Sequence, residues 1–155
     1  MFDYTMEHIF SYNVLLDPNI EVIGPTPEGL RLNVYIQEGR VSGAKVNGKI
    51  RPVGADWLTV RQDGVGIMSV RATIETDDGA LIYVDYSGVI DFGENGYTRF
   101  LSGKPAEKLQ IRAVPRYTTA HPDYLWLNRL QCVNIGEGCI LPEKVEVSYD
   151  VYALK

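Results

Sequence analysis

Residues 56–86 decide the fold, and they read DWLTVRQDGVGIMSVRATIETDDGALIYVDY. Segments rich in β-branched and apolar residues are separated by Asp63-Gly64 and by Asp78-Gly79, which favours three short strands. Asp-Gly is the favoured centre of a two-residue type I′ turn, because both central residues need positive φ. The stretch therefore predicts an antiparallel meander with two tight hairpins.

The turn positions also predict a register between the three strands. With a two-residue first turn, Asp56 faces Arg71, and with a two-residue second turn, Arg71 faces Tyr86. Since side chains alternate with a period of two, these three residues are expected at one height on one face. Trp57 falls on the other face and is also counted as a candidate ligand-binding residue.

Composition and charge limit the class of protein. The chain has 155 residues, 45% of them hydrophobic and 23% charged, which predicts one globular domain over residues 1–155. A net charge of −5 with scattered basic residues argues against nucleic acid as a partner. No long apolar run or signal peptide is visible, so we expect no membrane association and a soluble, cytoplasmic protein.

The two cysteines, Cys132 and Cys139, flank residues 134–138, which resemble a hairpin loop. Such a loop would permit a disulfide. Two reduced thiols in a cytoplasmic protein are the favoured interpretation, because two cysteines do not form a disulfide framework.

Strand signals recur along the whole chain. Fifteen glycines and eight prolines separate short runs of apolar, β-branched and aromatic residues. We predict an all-β fold, a closed or nearly closed antiparallel barrel of about eight to ten strands. A two-sheet sandwich is the alternative. Residues 92–108 are expected to hold one short helix, and residues 124–130 one or two helical turns.

Several motifs together resemble a known family of small bacterial proteins, domain of unknown function 3237. In chain order they are Gly29-x-Arg31, Pro52-x-Gly54-Ala55-Asp56-Trp57, Asp63-Gly64, Val70-Arg71, Thr76-Asp77-Asp78-Gly79-Ala80-x-Ile82, Arg116, Tyr124-x-Trp126-Leu127-Asn128 and Val151-Tyr152. The resemblance spans nearly the whole chain and implies a β-barrel and frequent self-association. It implies no established activity. Val53 replaces the first of two glycines common in the family, so this corner is expected to bend differently.

Three arginines are candidates for binding an anion. An Asp56–Arg71 pair would hold a carboxylate ionised, although a structural ion pair is the favoured interpretation. Arg112 and Arg116 lie four residues apart on one face of a strand, and guanidinium groups suit carboxylates and phosphates. If the three arginines converge on one lumen, a small organic acid is the expected ligand. Two arginines on a solvated face are the alternative.

Tyr124, Trp126 and Asn128 lie in the predicted helical turns, where aromatic side chains either line a ligand site or pack as a lid. No histidine or cysteine spacing typical of a metal site occurs, and we expect neither metal nor cofactor.

Two functions follow from these patterns. The first is a small-molecule-binding barrel, extending to a cofactor-independent enzyme of the lyase or isomerase class acting on a small organic acid. The second is a non-catalytic homo-oligomeric binding or assembly module. An enclosed cavity of a few hundred Å³ around Asp56, Arg71 and Tyr86 would favour the first, and a filled core would favour the second.

Overall fold

Nine antiparallel strands dominate the computed structural model, which describes residues 1–155. They are β1 (Met6–Leu16), β2 (Glu21–Thr26), β3 (Gly29–Ser42), β4 (Gly48–Val60), β5 (Val65–Thr76), β6 (Leu81–Asp91), β7 (Lys108–Thr118), β8 (Gln131–Leu141) and β9 (Lys144–Leu154). Their order in the sheet is β1-β9-β8-β7-β6-β5-β4-β3-β2.

A second pairing of β1 closes the sheet. Tyr12 of β1 lies opposite Tyr149 of β9 on one side and opposite Val41 of β3 on the other. Eight strands thus form a closed barrel, and β2 extends β3 outside it. The predicted barrel is confirmed, and closure leaves none of these eight strands with an open edge. Strand β2 is not apparent from the sequence, because it contains Gly24-Pro25, a pair of residues typical of a loop.

Two short helices lie at opposite ends of the barrel; the sequence predicts the helices but not their placement. Helix α1 (Gly96–Leu101) connects β6 to β7, and a 3₁₀ helix (Pro122–Arg129) connects β7 to β8. Leu127 of the 3₁₀ helix is fully buried and belongs to the same hydrophobic core as Phe10, Ile74 and Ile82. Neither helix is long and apolar enough to cross a membrane.

The first hairpin differs from its predicted form. Arg61 N donates to Val65 O at 2.8 Å, so the loop has three residues, and of these only Gly64 has a positive φ, at 83°. The predicted two-residue type I′ turn is therefore wrong. The additional loop residue moves the register by one, and Asp56 lies opposite Val70 instead of Arg71.

The second hairpin also has a three-residue loop. Thr76 N donates to Ala80 O at 2.9 Å, and Gly79 has a φ of 87°. Val70 therefore lies opposite Tyr86, and Arg71 lies opposite Asp85. The two one-residue shifts cancel, which leaves Asp56 and Tyr86 on one face while Arg71 moves to the other.

The cysteines lie on one continuous strand. Residues 134–138 belong to β8, so the predicted hairpin loop is wrong. Seven residues of extended strand separate Cys132 from Cys139 by about 23 Å, far beyond disulfide geometry. Both thiols are free.

Candidate functional site

The barrel lumen contains a cavity of about 70 Å³ with mostly apolar walls. Asp56 is the one charged residue that is buried, and its side chain lines this cavity. Four buried tyrosines also line it and supply the remaining polar groups of its inner part; they are Tyr12, Tyr86, Tyr117 and Tyr149. The lumen therefore combines an apolar wall with one carboxyl group and several phenols.

Asp56 is held by the backbone of the neighbouring strand. Its Oδ1 accepts a hydrogen bond from Ser69 N at 2.9 Å, and Oδ2 accepts none. Burial raises the pKa of Asp56 from 3.8 to about 6, and the Ser69 N–H and the positive charge of Arg31 oppose that rise. Arg31 donates to Thr59 Oγ1 at 3.0 Å and makes no hydrogen bond to Asp56. The carboxyl group thus titrates close to neutral pH, with one oxygen free for a ligand.

Three tyrosine rings pack in a row and line the same cavity as Asp56, forming a wall of tyrosine rings. The Tyr12 and Tyr149 ring centroids lie 5.1 Å apart, and those of Tyr86 and Tyr149 lie 6.1 Å apart. Burial is the main cause that raises the pKa of these phenols well above its ordinary value. The charge of Asp56 also contributes to the raised pKa of Tyr86 and Tyr149. Both hydroxyl groups therefore lie within the electric field of the Asp56 carboxylate.

A second polar group lies deeper in the lumen. Asn134 Nδ2 donates to the Tyr12 hydroxyl at 2.6 Å. The hydroxyl groups of Tyr117 and Tyr149 and the Asn134 Oδ1 atom are buried without a protein hydrogen-bond partner. Buried polar atoms normally have partners, and Tyr117 and Tyr149 line the cavity, so their two hydroxyl groups are available to a ligand that enters the lumen.

The cavity reaches the α1 end of the barrel through an apolar mouth. Leu16, Ile20, Phe92, Phe100 and Ile140 line this part of it. Phe92 and Phe100 pack edge to face with centroids 4.7 Å apart. A ligand would therefore place its polar group near Asp56 and its apolar part toward the mouth.

The arginines expected in the lumen lie on the outside of the barrel. Arg71 is exposed, and its guanidinium group lies 5.5 Å from the ring of Trp57, which is half-buried on the same outer face. Arg116 is exposed opposite Asp85. Arg112 is also exposed and donates to Ile111 O at 2.7 Å. The predicted convergence of three arginines with Asp56 is wrong, because the register places their side chains on the outer face.

The predicted residues of the helical turns lie at the end opposite the mouth, and none lines the cavity. The Tyr124 hydroxyl donates to Asp78 Oδ1 at 3.0 Å. Asn128 Oδ1 accepts from Thr119 N at 2.8 Å, and Asn128 Nδ2 donates to Thr119 O at 2.9 Å. Trp126 lies under the Lys45 ammonium group at 5.6 Å. These contacts fasten the 3₁₀ helix to the barrel.

The family described as Protein of unknown function (DUF3237) matches residues 4–154 of the chain. The chain belongs to this family. A UPF0311 protein of Rhodopseudomonas palustris (strain TIE-1) is 33% identical over 127 residues, which cover 80% of this chain and 81% of that protein. A UPF0311 protein of Clostridium acetobutylicum is 32% identical over 145 residues, covering 92% of this chain and 90% of that protein.

Two solved structures share the fold of this DUF3237 barrel. A β-barrel like protein from Acinetobacter baumannii AYE matches with a TM-score of 0.81 at 29% identity, covering 100% of this chain and 98% of that chain. An enzyme from Penicillium herquei matches with a TM-score of 0.61 at 18% identity, covering 97% of this chain and 96% of that chain. The second likeness shows a shared fold alone.

Four lumen residues of this DUF3237 protein were not among the predicted site residues: Tyr12, Tyr117, Asn134 and Tyr149. Tyr12 and Tyr149 occupy alternating apolar positions of β1 and β9, and that alternation was the available signal. Asn134 gave no signal, since a lone Asn in a strand looks like a surface residue. The protein has no group of three or more His, Cys, Asp or Glu side chains able to hold a metal ion.

Proposed function

We propose that the barrel binds a small molecule with an apolar body in its lumen, and that Asp56 anchors the polar group of this ligand. The observation that carries the proposal is the free Oδ2 of Asp56 beside an apolar cavity. A buried carboxylate with only one of its two oxygens hydrogen-bonded is costly, and an apolar residue at this position would give a more stable core. A ligand group that bonds to Asp56 offsets that cost.

The size of the cavity limits the ligand. Its volume of about 70 Å³ is smaller than the few hundred Å³ that would have favoured small-molecule binding over an assembly module, and Arg71 does not line it. An apolar cavity of about 150 Å³ accommodates benzene. A slim ligand that extends from Asp56 into the mouth suits this lumen better than a compact ring.

The lumen also limits the charge of the ligand. The organic acid expected from the sequence required Arg71, Arg112 and Arg116 around it, and all three are exposed on the outer face. A carboxylate in the lumen would instead face the Asp56 carboxyl group with no cation between them. We therefore propose a ligand without negative charge.

A titration with n-hexanol tests the binding function. Ala72 lines the cavity, so Ala72→Leu should fill it and abolish binding. Thr73→Leu makes a comparable apolar change at the next position, which points the other way, and should leave binding intact. Equal binding by the wild type and Ala72→Leu would place the alcohol outside the lumen. Native mass spectrometry of freshly purified protein would report a co-purified ligand and the subunit number together.

The Asp56 environment favours a second candidate function, cofactor-independent proton transfer. A carboxyl pKa of about 6 lets Asp56 accept a proton from a bound ligand and return it to another ligand atom, as an isomerase or lyase requires. The hydroxyl groups of Tyr86 and Tyr149 are the adjacent donors. Solvent deuterium should exchange into the α-carbons of the linear ketone 2-hexanone faster with the wild type than with Asp56→Asn. Equal exchange rates would exclude this role.

A further inference from the structure

We propose that the lumen ligand is an organic cation, a slim alkylamine whose ammonium group pairs with Asp56 inside the wall of tyrosine rings. This inference rests on the proposed function, because both require the lumen to admit a ligand. It goes further by specifying the chemical class of that ligand.

The charges around the cavity favour a cation. Asp56 and Glu146 are the two charged residues that line it, and no Lys or Arg does so. Glu146 lies at the rim, where Lys144 Nζ contacts it at 2.7 Å. Asp56 has no such partner. An ionised Asp56 in a low-dielectric lumen makes the local potential negative, and an ammonium group is its natural complement.

The aromatic wall favours a cation as well. The faces of tyrosine rings attract ammonium groups, most strongly where water is excluded. Tyr12, Tyr86 and Tyr149 line the same cavity as Asp56 with their rings at different angles: the Tyr12–Tyr149 pair is tilted by 40°, and the Tyr86–Tyr149 pair by 74°. An ammonium group in the lumen would therefore meet the faces of tyrosine rings from more than one direction.

The available hydrogen-bond acceptors fit a primary amine. An ammonium group carries three N–H donors and no acceptor. The free Asp56 Oδ2 accepts one of these donors, and the unpartnered hydroxyl oxygen of Tyr149 accepts another. A neutral alcohol can donate to Asp56 Oδ2 and accept from the Tyr149 hydroxyl, but it has only one donor and brings no positive charge to the carboxylate.

The path to the mouth sets the shape of the apolar part. Tyr149 and Val145 lie four residues apart on β9, and Val145 pairs with Leu16 at the mouth. Four residues of strand span about 13 Å. A linear chain such as a hexyl group fits this path, and its methylene groups would contact the apolar mouth.

The test compares three ligands of equal length, n-hexylamine, n-hexanol and hexanoate, by calorimetry at about pH 7.5. At this pH Asp56, with a pKa of about 6, is ionised. We expect wild type to bind the amine about tenfold to a hundredfold more tightly than the alcohol. Hexanoate should bind most weakly. Asp56→Asn should remove the advantage of the amine. Asp85→Asn, the same change at an exposed outer-face position, should preserve it.

A pH series on the wild type gives a measurement that does not depend on a variant folding. The preference for the amine should fall as the pH drops through about 6, because Asp56 becomes neutral. The other charged and titratable groups near Asp56 are Arg31, which stays positive, and the phenols of Tyr86 and Tyr149, which stay neutral over this range; Tyr12 and, at the rim, Glu146 line the same cavity.

The outcomes separate the two proposals. Alcohol binding equal to or tighter than amine binding in the wild type would overturn the cation inference and leave the binding function intact. An amine preference that survives in Asp56→Asn would overturn it too, because the amine would then bind elsewhere. If none of the three ligands binds, both proposals fail.

Discussion

Asp56 of β4 and Tyr86 of β6 point into the same lumen, with Val70 of β5 between them. Neither side chain has a cationic neighbour inside the barrel. The energetic consequence is that the neutral form of Asp56 is preferred up to a higher pH in the folded protein than in the unfolded chain, because the cavity solvates its charge poorly. This preference links the stability of the fold to pH.

Asp56→Asn should change the pH dependence of stability in a defined direction. The pKa of Asp56 is raised in the folded state from 3.8 to about 6, so folded protein binds more protons than unfolded protein between these values. The stabilising contribution is fully present below pH 3.8 and is lost as the pH rises through about 6, amounting to about 3 kcal/mol in all.

The asparagine side chain of this variant would keep the Ser69 hydrogen bond but would not titrate. The variant should therefore gain about 2 kcal/mol relative to the wild type between about pH 4.5 and pH 7.5. Urea unfolding of both proteins at several pH values measures this. Parallel stability curves would show that Asp56 is solvated.

Two Tyr→Phe changes in the lumen should have unequal effects. Tyr12→Phe removes the acceptor for Asn134 Nδ2 and leaves a buried donor unpaired, so it should destabilise the protein by about 1–3 kcal/mol. The Tyr149 hydroxyl has no protein partner, so Tyr149→Phe should be neutral or slightly stabilising. Thermal unfolding of the two variants checks this. A larger loss for Tyr149→Phe would mean that its hydroxyl makes a stabilising contact.

The fold class could be predicted because it depends on signals that repeat. Alternation along strands such as β7, where every second residue from Leu109 to Tyr117 is buried, requires only a period of two. The register could not be predicted from the sequence, because it depends on the exact number of residues in each hairpin loop. Both Asp-Gly hairpins have one loop residue more than the two-residue turn, and one residue is enough to reverse the face of Arg71.

The candidate site was predictable only in part for the same reason. Asp56 and Tyr86 were correctly placed together because two errors of one residue cancelled. Tyr12 and Tyr149 come together through the closure of β1 on β9, between residues 137 positions apart, and no local pattern encodes such a pairing.

Arg71→Met tests the outer-face position of Arg71 directly. The side chain is exposed and makes one clear contact, with the Trp57 ring at 5.5 Å. A cation–aromatic contact at an exposed site contributes about 0.5–1 kcal/mol. We expect a loss of stability within that range and no change in hexanol or hexylamine affinity. A tenfold change in either affinity would contradict the assignment of Arg71 to the outer face.

The two hairpin glycines should differ in their tolerance of alanine. Both Gly64 and Gly79 have a positive φ, so Ala at either position costs about 1 kcal/mol of backbone strain. The two glycines differ in the space around them. A Cβ at Gly79 would meet nothing within 4 Å, whereas one at Gly64 would lie 1.8 Å from Gly93 O, in the segment that leads into α1.

Gly64→Ala must therefore displace backbone as well as strain it, and we expect a loss of about 3 kcal/mol against about 1 kcal/mol for Gly79→Ala. Because Phe92 N donates to Gly64 O at 3.0 Å, the displacement should reach Phe92 and loosen the apolar mouth. Gly64→Ala should then release hexanol faster than Gly79→Ala, as stopped-flow or NMR exchange measurements would show. Equal stability and equal release rates in the two variants would mean that the Gly64–Gly93 contact does not hold the mouth closed.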